Sequence, residues 1–255
     1  MTAKTTSYAA PALDRGLDIL EYLSLEGVPL TQLEIAQGIN KKSSEIYRML
    51  MRLEERGYII RGSNAGKYRL SLKMYELSHR HTPFYELKRA AHYPMQLLAE
   101  KVRESCHLSI MHKNQLLVIS QASSPNPVSL SIEEGRHFPL SMTISGKVLL
   151  SCFSSETIKN ILARDMHYKK WSKAQKEVIN KEINEAKEKG YLFAESELTG
   201  GVTDIAIPIG SKGSEVSSVL GVSVFSSNLE KKKNLEDIIN ALKDTQKKIN
   251  SLIGL

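Results

Sequence analysis

The residues of this chain that could do chemistry fall into two groups. The first is Lys41, Lys42, Ser43 and Ser44, followed one turn later by Tyr47 and Arg48 and then by Arg52. On a helix, positions 44, 48 and 52 share one face, so Ser44, Arg48 and Arg52 form a polar stripe opposite Ile46, Met49, Leu50 and Leu53. Arginine grips phosphate or pairs in two-point fashion with guanine, while lysine and serine are better phosphate partners. Amides at a helix N-terminus add to the pull on an anion. Arg61, Asn64 and Lys67 stand on or beside a Gly62-Ser63-Asn64-Ala65-Gly66 turn, from which they could reach an adjacent backbone or minor groove. Between Lys41 and Arg69 there are eight basic and three acidic residues, so this stretch carries +5 of the formal net charge of +7. A merely solvated basic helix would have the same composition, so the weight rests on the elements around it.

The second group lies in the run Gly135-Arg136-His137-Phe138-Pro139-Leu140-Ser141-Met142-Thr143-Ile144-Ser145-Gly146-Lys147-Val148-Leu149-Leu150. A Gly-containing loop here leads straight into an apolar helix, so amides near Thr143, Ser145 and Gly146 would point at a pocket suited to a carboxylate or another anion. Gly146 either lets a ligand approach the backbone or allows close helix–sheet packing, and spacing leaves both open. Asp204, in the apolar strand Val202–Pro208, either faces a polar cavity or caps a turn. Facing a cavity, it would select a hydroxyl or a cation and repel a nearby carboxylate. Ser223, on a later strand, could add a hydrogen bond. His107, His112, His137 and His167 have no spacing that suggests metal ligation or a catalytic triad, and His107 reads as packed or pocket-lining. Cys106 and Cys152 lie in apolar runs without zinc-site spacing and read as core. Neither a metal nor a cofactor is implied.

The elements that must position these residues follow from periodicity and punctuation. Leu13, Leu17, Ile19, Leu20 and Leu23 recur at helical spacing and predict a helix of about three turns, stopped by Gly27 and Pro29. Thr31 with Glu34 has capping-box spacing and opens a short helix that ends at Gly38. After the Ile39-Asn40 turn, a third helix runs from about Lys42 to Arg56, closed by Gly57 in a left-handed conformation. Two short strands, Tyr58–Arg61 and Lys67–Leu70, make a hairpin. Helix, short helix, turn, helix and hairpin is the order of a winged helix-turn-helix.

A short helix from Leu72 to Leu77 precedes the polar stretch His79–Pro83, and a long helix spans roughly Tyr85 to Arg103. Strands are expected at Cys106–His112, Gln115–Gln121, Val128–Ile132, Tyr191–Ala194, Val202–Ile209 and Val219–Phe225. Helices are expected at Thr143–Phe153, Ser155–Arg164, Ser172–Lys189 and Leu229–Leu252. An antiparallel sheet with helices packed on it, an α+β domain, fits this order. The expected division is 1–78 for the helix-turn-helix domain, 79–104 for a linker helix region and 105–255 for the second domain.

Length and composition agree. The chain has 255 residues with 41% hydrophobic and 25% charged, enough apolar residue for real cores. Two cysteines cannot form a disulfide framework and suit a reducing cytoplasm. The first ten residues lack the apolar run of a secretion signal, and no apolar stretch approaches bilayer-spanning length.

From about Ala12 to Leu252 the chain resembles the isocitrate lyase regulator (IclR) family of bacterial transcription factors. The matching pieces are Asp14-Arg15-Gly16-Leu17-Asp18-Ile19-Leu20-Glu21, Asn40 to Ser44 through Tyr47-Arg48-Met49-Leu50, Gly57-Tyr58 and Tyr68-Arg69-Leu70. In the second half they are His107-Leu108-Ser109, Gly135 to Leu150 with its Ser-Gly-Lys, Gly190-Tyr191, and Gly201 to Pro208. The resemblance implies a winged helix-turn-helix joined by a linker helix to a GAF-like effector domain, in dimers that often pair into tetramers. It also implies control of catabolic operons by a small metabolite, frequently an organic, aromatic or sugar acid. By the same resemblance the effector contacts would fall at Ser145, Gly146, Asp204 and Ser223. The chain departs from the family pattern at Asp204, where many members have Cys, at Phe225, where a second Ser can occur, and at Ala194, where an acidic residue can occur.

The function expected is therefore a DNA-binding transcriptional regulator, a repressor, controlled by a small acid. As a dimer it would bind a palindromic operator on double-stranded DNA, because two-fold protein symmetry matches two-fold operator symmetry. An enzyme would need a nucleophile with a base and an orienting partner, which the spacing does not offer. A protein–protein adaptor would leave the basic helix and wing without a purpose.

Overall fold

The computed structural model describes residues 10–62, 66–80, 84–210, 218–231 and 235–255. The chain divides into two compact units, Met1–Thr82 and Pro83–Leu255.

In the first unit, α1 (Pro11–Glu26) starts with proline in its first turn and ends where Gly27 takes a φ of 65° and its N–H bonds to Leu23 O. This helix is longer than the three turns expected, because Pro11 fits the first-turn position where no N–H is needed. Thr31 caps α2 (Gln32–Gly38) through the reciprocal capping box with Glu34. That bond to the Thr31 amide, followed by the Thr31 hydroxyl, holds the Glu34 carboxyl below its usual range. Asn40, at φ 53°, turns the chain, and α3 (Ser43–Glu55) follows. Gly57 ends it with a φ of 74°, as the left-handed C-cap requires. Strands β1 (Ile59–Arg61) and β2 (Tyr68–Leu70) pair antiparallel, and α4 (Lys73–Arg80) closes the unit. Ile19, Leu23, Ile35, Ala36, Ile46, Leu50, Ile59 and Tyr68 form its core, so the first three helices and the hairpin contribute their apolar faces to one cluster.

The second unit begins with α5 (Tyr85–Val102). This is the helix of the expected linker helix region 79–104, and its Leu87, Ala91, Met95, Leu98 and Ala99 sit in the main core of this unit. Strands β3 (Cys106–His112), β4 (Gln115–Ala122) and β5 (His137–Pro139) are followed by a 3-10 turn (Leu140–Met142) and α6 (Ile144–Ser151). Then come α7 (Ser155–Leu162), α8 (Met166–Lys170), α9 (Lys173–Lys189), β6 (Leu192–Glu195), β7 (Val202–Ile209) and β8 (Ser218–Phe225). In the C-terminal stretch come α10 (Ser226–Lys231) and α11 (Leu235–Leu252), and residues 232–234, inside the helix expected over Leu229–Leu252, lie outside the described residues. The sheet order is β5-β4-β3-β8-β7-β6, with every neighbouring pair antiparallel.

Both faces of this sheet are covered. Residues alternate across a strand, so Leu108, Ile110, Ile205, Ile207, Leu220 and Val222 meet α5 and α11. Ala206 and Val219 point the other way into a second cluster with Ile144, Val148, Ile179 and Ile183 of α6 and α9. Two-sided burial explains why β7 and β8 read as nearly continuous apolar runs.

One expected strand is absent. Val128–Ile132 lies in an irregular run, and the sheet edge is taken by β5, which pairs Gln115–Leu117 with His137–Pro139. Further along β4, the Val118 amide and carbonyl are already engaged by Arg136 O and Gly135 N–H at 3.0 and 2.8 Å. The edge is thus occupied as far as Val118, and Pro125 and Pro127 remove two donors just before the run.

Candidate functional site

The first candidate surface is the outward face of α3. Ser44, Tyr47, Arg48 and Arg52 are exposed along it, as are Lys41 and Lys42 before its start, and Ser43 is half-buried. Ile46 and Leu50 are buried on the opposite side. The local fold fixes the orientation of this face. Glu45 accepts from the Lys42 amide at 2.9 Å and meets Arg15 of α1 at 3.3 Å, which seats the helix N-terminus. The bond from the Lys42 amide is the main reason the Glu45 carboxyl lies below its usual range. Arg52 forms an exposed pair with Glu55 at 2.6 Å, whereas Arg48 has no ion-pair partner among the described residues. On the hairpin, Arg61 donates to Gly66 O at 3.3 Å with its guanidinium 5.4 Å above the Tyr68 ring. Lys67 lies close enough to Glu34 to favour that carboxylate. Asn64 lies outside the described residues.

The second candidate is a cavity of about 620 Å³ within the second unit. Strands β3, β7 and β8 contribute His107, Val202, Asp204 and Ser223, and the start of α6 contributes Thr143, Ile144 and Ser145. The irregular run adds Leu130, Ser131 and Ile132, the turn before β5 adds Glu133 and Arg136, and the loop after β6 adds Ser196, Leu198 and Thr199. The size is that of a small-molecule site, apolar in its walls with a few convergent polar groups.

Register brings these groups together. Asp204 and Ser223 are direct cross-strand partners, and Ser223 Oγ donates to Asp204 Oδ1 at 2.6 Å. His107 is paired with Gly221, and its Nε2 lies 3.2 Å from Ser145 Oγ. A Cβ on Gly221 would lie 2.5 Å from His107 Nε2 and 2.8 Å from Ser145 Oγ, so only glycine leaves the imidazole its place. Burial pushes the His107 imidazole down to about 4, and the Asp204 carboxylate pulls against that shift. The ring is therefore neutral at physiological pH.

Ser145, His107 and Asp204 are the residue types of a hydrolytic triad, but they do not form one. Asp204 is bonded to Ser223, and an imidazole that protonates near 4 is a weak base for activating serine. What this arrangement does well is present acceptors and donors to a bound molecule. Arg136 supplies a cation, held 3.0 Å from Glu133 with both side chains largely in water. Such a pair contributes little by itself and can be exchanged for a ligand carboxylate.

Of the residues expected here, Thr143, Ser145, Asp204 and Ser223 line the cavity and Gly146 does not. The Gly146 amide is taken by Thr143 Oγ1 at 3.0 Å, and Thr143 in turn donates to Pro139 O. A Cβ on Gly146 would collide with the Leu140 carbonyl oxygen and sit 2.7 Å from Leu140 Cα. Of its two open readings, close packing is the one this geometry supports.

Comparison with known proteins gives the family. Residues 12–61 match the IclR helix-turn-helix domain, and residues 80–251 match the bacterial transcriptional regulator IclR C-terminal domain. The chain belongs to the IclR family. It is similar to the HTH-type transcriptional regulator KdgR of Escherichia coli K12, at 26% identity over 87% of this chain and 84% of that protein. It is also similar to the HTH-type transcriptional repressor AllR of Salmonella typhimurium, at 22% identity over 98% and 93%. Among solved structures, an IclR homologue from Microbacterium hydrocarbonoxydans complexed with 4-hydroxybenzoate matches with a TM-score of 0.80, at 22% identity over 95% of this chain and 98% of that one. The protein is thus a DNA-binding IclR-type transcriptional regulator with a C-terminal effector domain, and its fold is the one the family resemblance implied.

Sequence reasoning missed Gly221, Arg136 and the 196–199 loop as parts of this site. Gly221 did carry a signal, a glycine in the middle of the apolar strand Ser218–Phe225. The loop carried none, because its place beside the cavity depends on the pairing of β6 with β7.

Proposed function

We propose that this regulator is a repressor of a catabolic operon, and that a small organic or sugar acid bound in the cavity controls its grip on DNA. Residues 1–78 would read a palindromic operator as part of a homodimer, which pairs into a dimer of dimers, and residues 105–255 would sense the acid. The observation that carries the sensing role is the cavity of about 620 Å³, with Asp204–Ser223, His107–Ser145 and Arg136 converging on it. A hydroxyl of the effector donates to the Asp204 carboxylate, and its own carboxylate lies toward Arg136, away from the like charge. On the DNA side, Lys41, Lys42, Ser43, Ser44, Tyr47, Arg48 and Arg52 meet the major groove and its phosphates, and Arg61, Asn64 and Lys67 meet the flanking backbone. Relatives described as repressors, and a homologue holding 4-hydroxybenzoate, support both halves of the reading.

The protein works without catalysis and in the cytoplasm on this reading. No helix among the described residues is long and apolar enough to cross a membrane. The effector shifts the balance between operator-binding and non-binding states by no more than its difference in affinity for the two. The test is a gel shift on DNA from upstream of the protein's own gene, with nonspecific competitor and a panel of organic and sugar acids. A discrete band that one acid abolishes supports the proposal. No specific band at low salt, with or without acids, removes it.

A further inference from the structure

Lys147 is a charged residue in the middle of a helix whose every residue is buried, and it is itself only 1% exposed. An ammonium out of water is tolerated only when paired. Here two carboxylates surround it. Glu182, on α9, has an oxygen 2.8 Å from Nζ but off the line of a hydrogen bond, while Glu197 accepts a hydrogen bond from Nζ at 2.5 Å.

The two partners differ in what they are attached to. Glu182 belongs to a helix anchored by buried Ile179, Ile183 and Ala186. Glu197 sits in the loop 196–201, between β6 and β7, whose residues Ser196, Leu198 and Thr199 line the cavity. Beyond that ion pair the loop is held at its ends, where Gly201 O accepts from Ser226 N–H at 2.9 Å. Its base is closed by Ser196 N–H to Val202 O at 2.8 Å, and residues 197–201 are all exposed, Leu198 at 43%. Segments with few buried apolar contacts open at low cost. Two carboxylates on one ammonium leave a surplus negative charge. Glu197 can therefore release the cation without leaving it unpaired, because Glu182 stays.

We propose that Lys147 is a positioning residue for effector binding: its buried ammonium, by holding Glu197, keeps the 196–201 loop closed against the cavity. The loop is a hinged wall rather than a fixed one. It opens when Glu197 lets go and is held shut when a bound molecule covers Leu198. This rests on the cavity being the effector site, but the wall itself exists without a ligand.

Glu197→Gln and Glu182→Gln separate the idea from a purely structural role, since each removes one carboxylate from the same cation. Amide hydrogen exchange is measured on the full-length, ligand-free protein. Glu197→Gln is expected to speed exchange of the Ser196 amide, which donates to Val202 O at the base of the loop, about tenfold while α9 stays protected, and Glu182→Gln is expected to leave it near the wild-type rate. Unchanged exchange at the Ser196 amide in Glu197→Gln, or an equal rise in both variants, overturns the proposal. A second readout uses whichever panel acid binds wild-type protein. Its dissociation rate should rise at least about fivefold in Glu197→Gln and stay within about twofold in Glu182→Gln, and equal rises count against the proposal. If no acid binds, the effector reading fails, while the exchange result still decides the role of Lys147.

Discussion

The neutral imidazole of His107 makes the second unit sensitive to acid in a way that can be calculated. Its pKa falls from an ordinary 6.5 to about 4, chiefly through burial, so folding favours the unprotonated ring. The stability this contributes is fully present above about 6.5 and is lost as pH falls from there toward 4, because the unfolded chain takes up the proton first. At pH 7 the linkage costs about 0.2 kcal/mol, and at pH 5 about 2 kcal/mol. Between those two values wild type should therefore lose about 2 kcal/mol that a variant without this imidazole does not lose. For a unit of this size that corresponds to roughly 4–8 °C in Tm. The assay is thermal unfolding of wild type and His107→Gln at pH 7 and pH 5, with the other histidines and the carboxylates common to both. Direct NMR titration of the His107 Cε1 proton supplies the same answer if the variant folds poorly. Equal acid sensitivity of the two proteins, or an NMR pKa near 6.5, would refute the argument from burial.

Two further expectations concern the other parts of the site. Gly221→Ala places a methyl group 2.5 Å from His107 Nε2, so it should cost about 1–3 kcal/mol by overpacking and displace the imidazole from Ser145. Urea unfolding with an NMR check on the His107 ring decides this, and a neutral substitution with an unmoved ring contradicts the close packing. Arg48→Ala should weaken operator binding by about 1–3 kcal/mol and relax specificity at one position per half-site. Titration against single-base operator variants distinguishes the cases, and equal weakening on every sequence makes Arg48 a phosphate contact instead.

The first unit was nearly all readable from local sequence, since its chemistry is local. Capping at Thr31 and Glu34, the turn at Asn40, the glycine stop at Gly57 and the 3.6-residue spacing of α3 each act within a few residues. The β-strands of the second unit were readable as segments, except where the pattern misled. Val128, Leu130 and Ile132 alternate as a half-buried strand does, but Leu130 and Ile132 line a cavity wall with no ladder. Val128 is exposed, so alternation over so short a run fixes neither which side chains are covered nor what covers them.

By itself the sequence determined the order of the elements, the polar face of α3, the antiparallel α+β character of the second half and the family. Those depend on period, capping and residue type along the chain. Tertiary structure alone decided that Asp204 meets Ser223, that Gly221 makes room for His107, that Gly146 lies tight against Leu140 and that Lys147 shares its charge with Glu182 and Glu197. Each of these joins residues from different elements, in one case a helix and a loop, and a one-residue slip in register would turn every one of the strand contacts to the opposite face of the sheet.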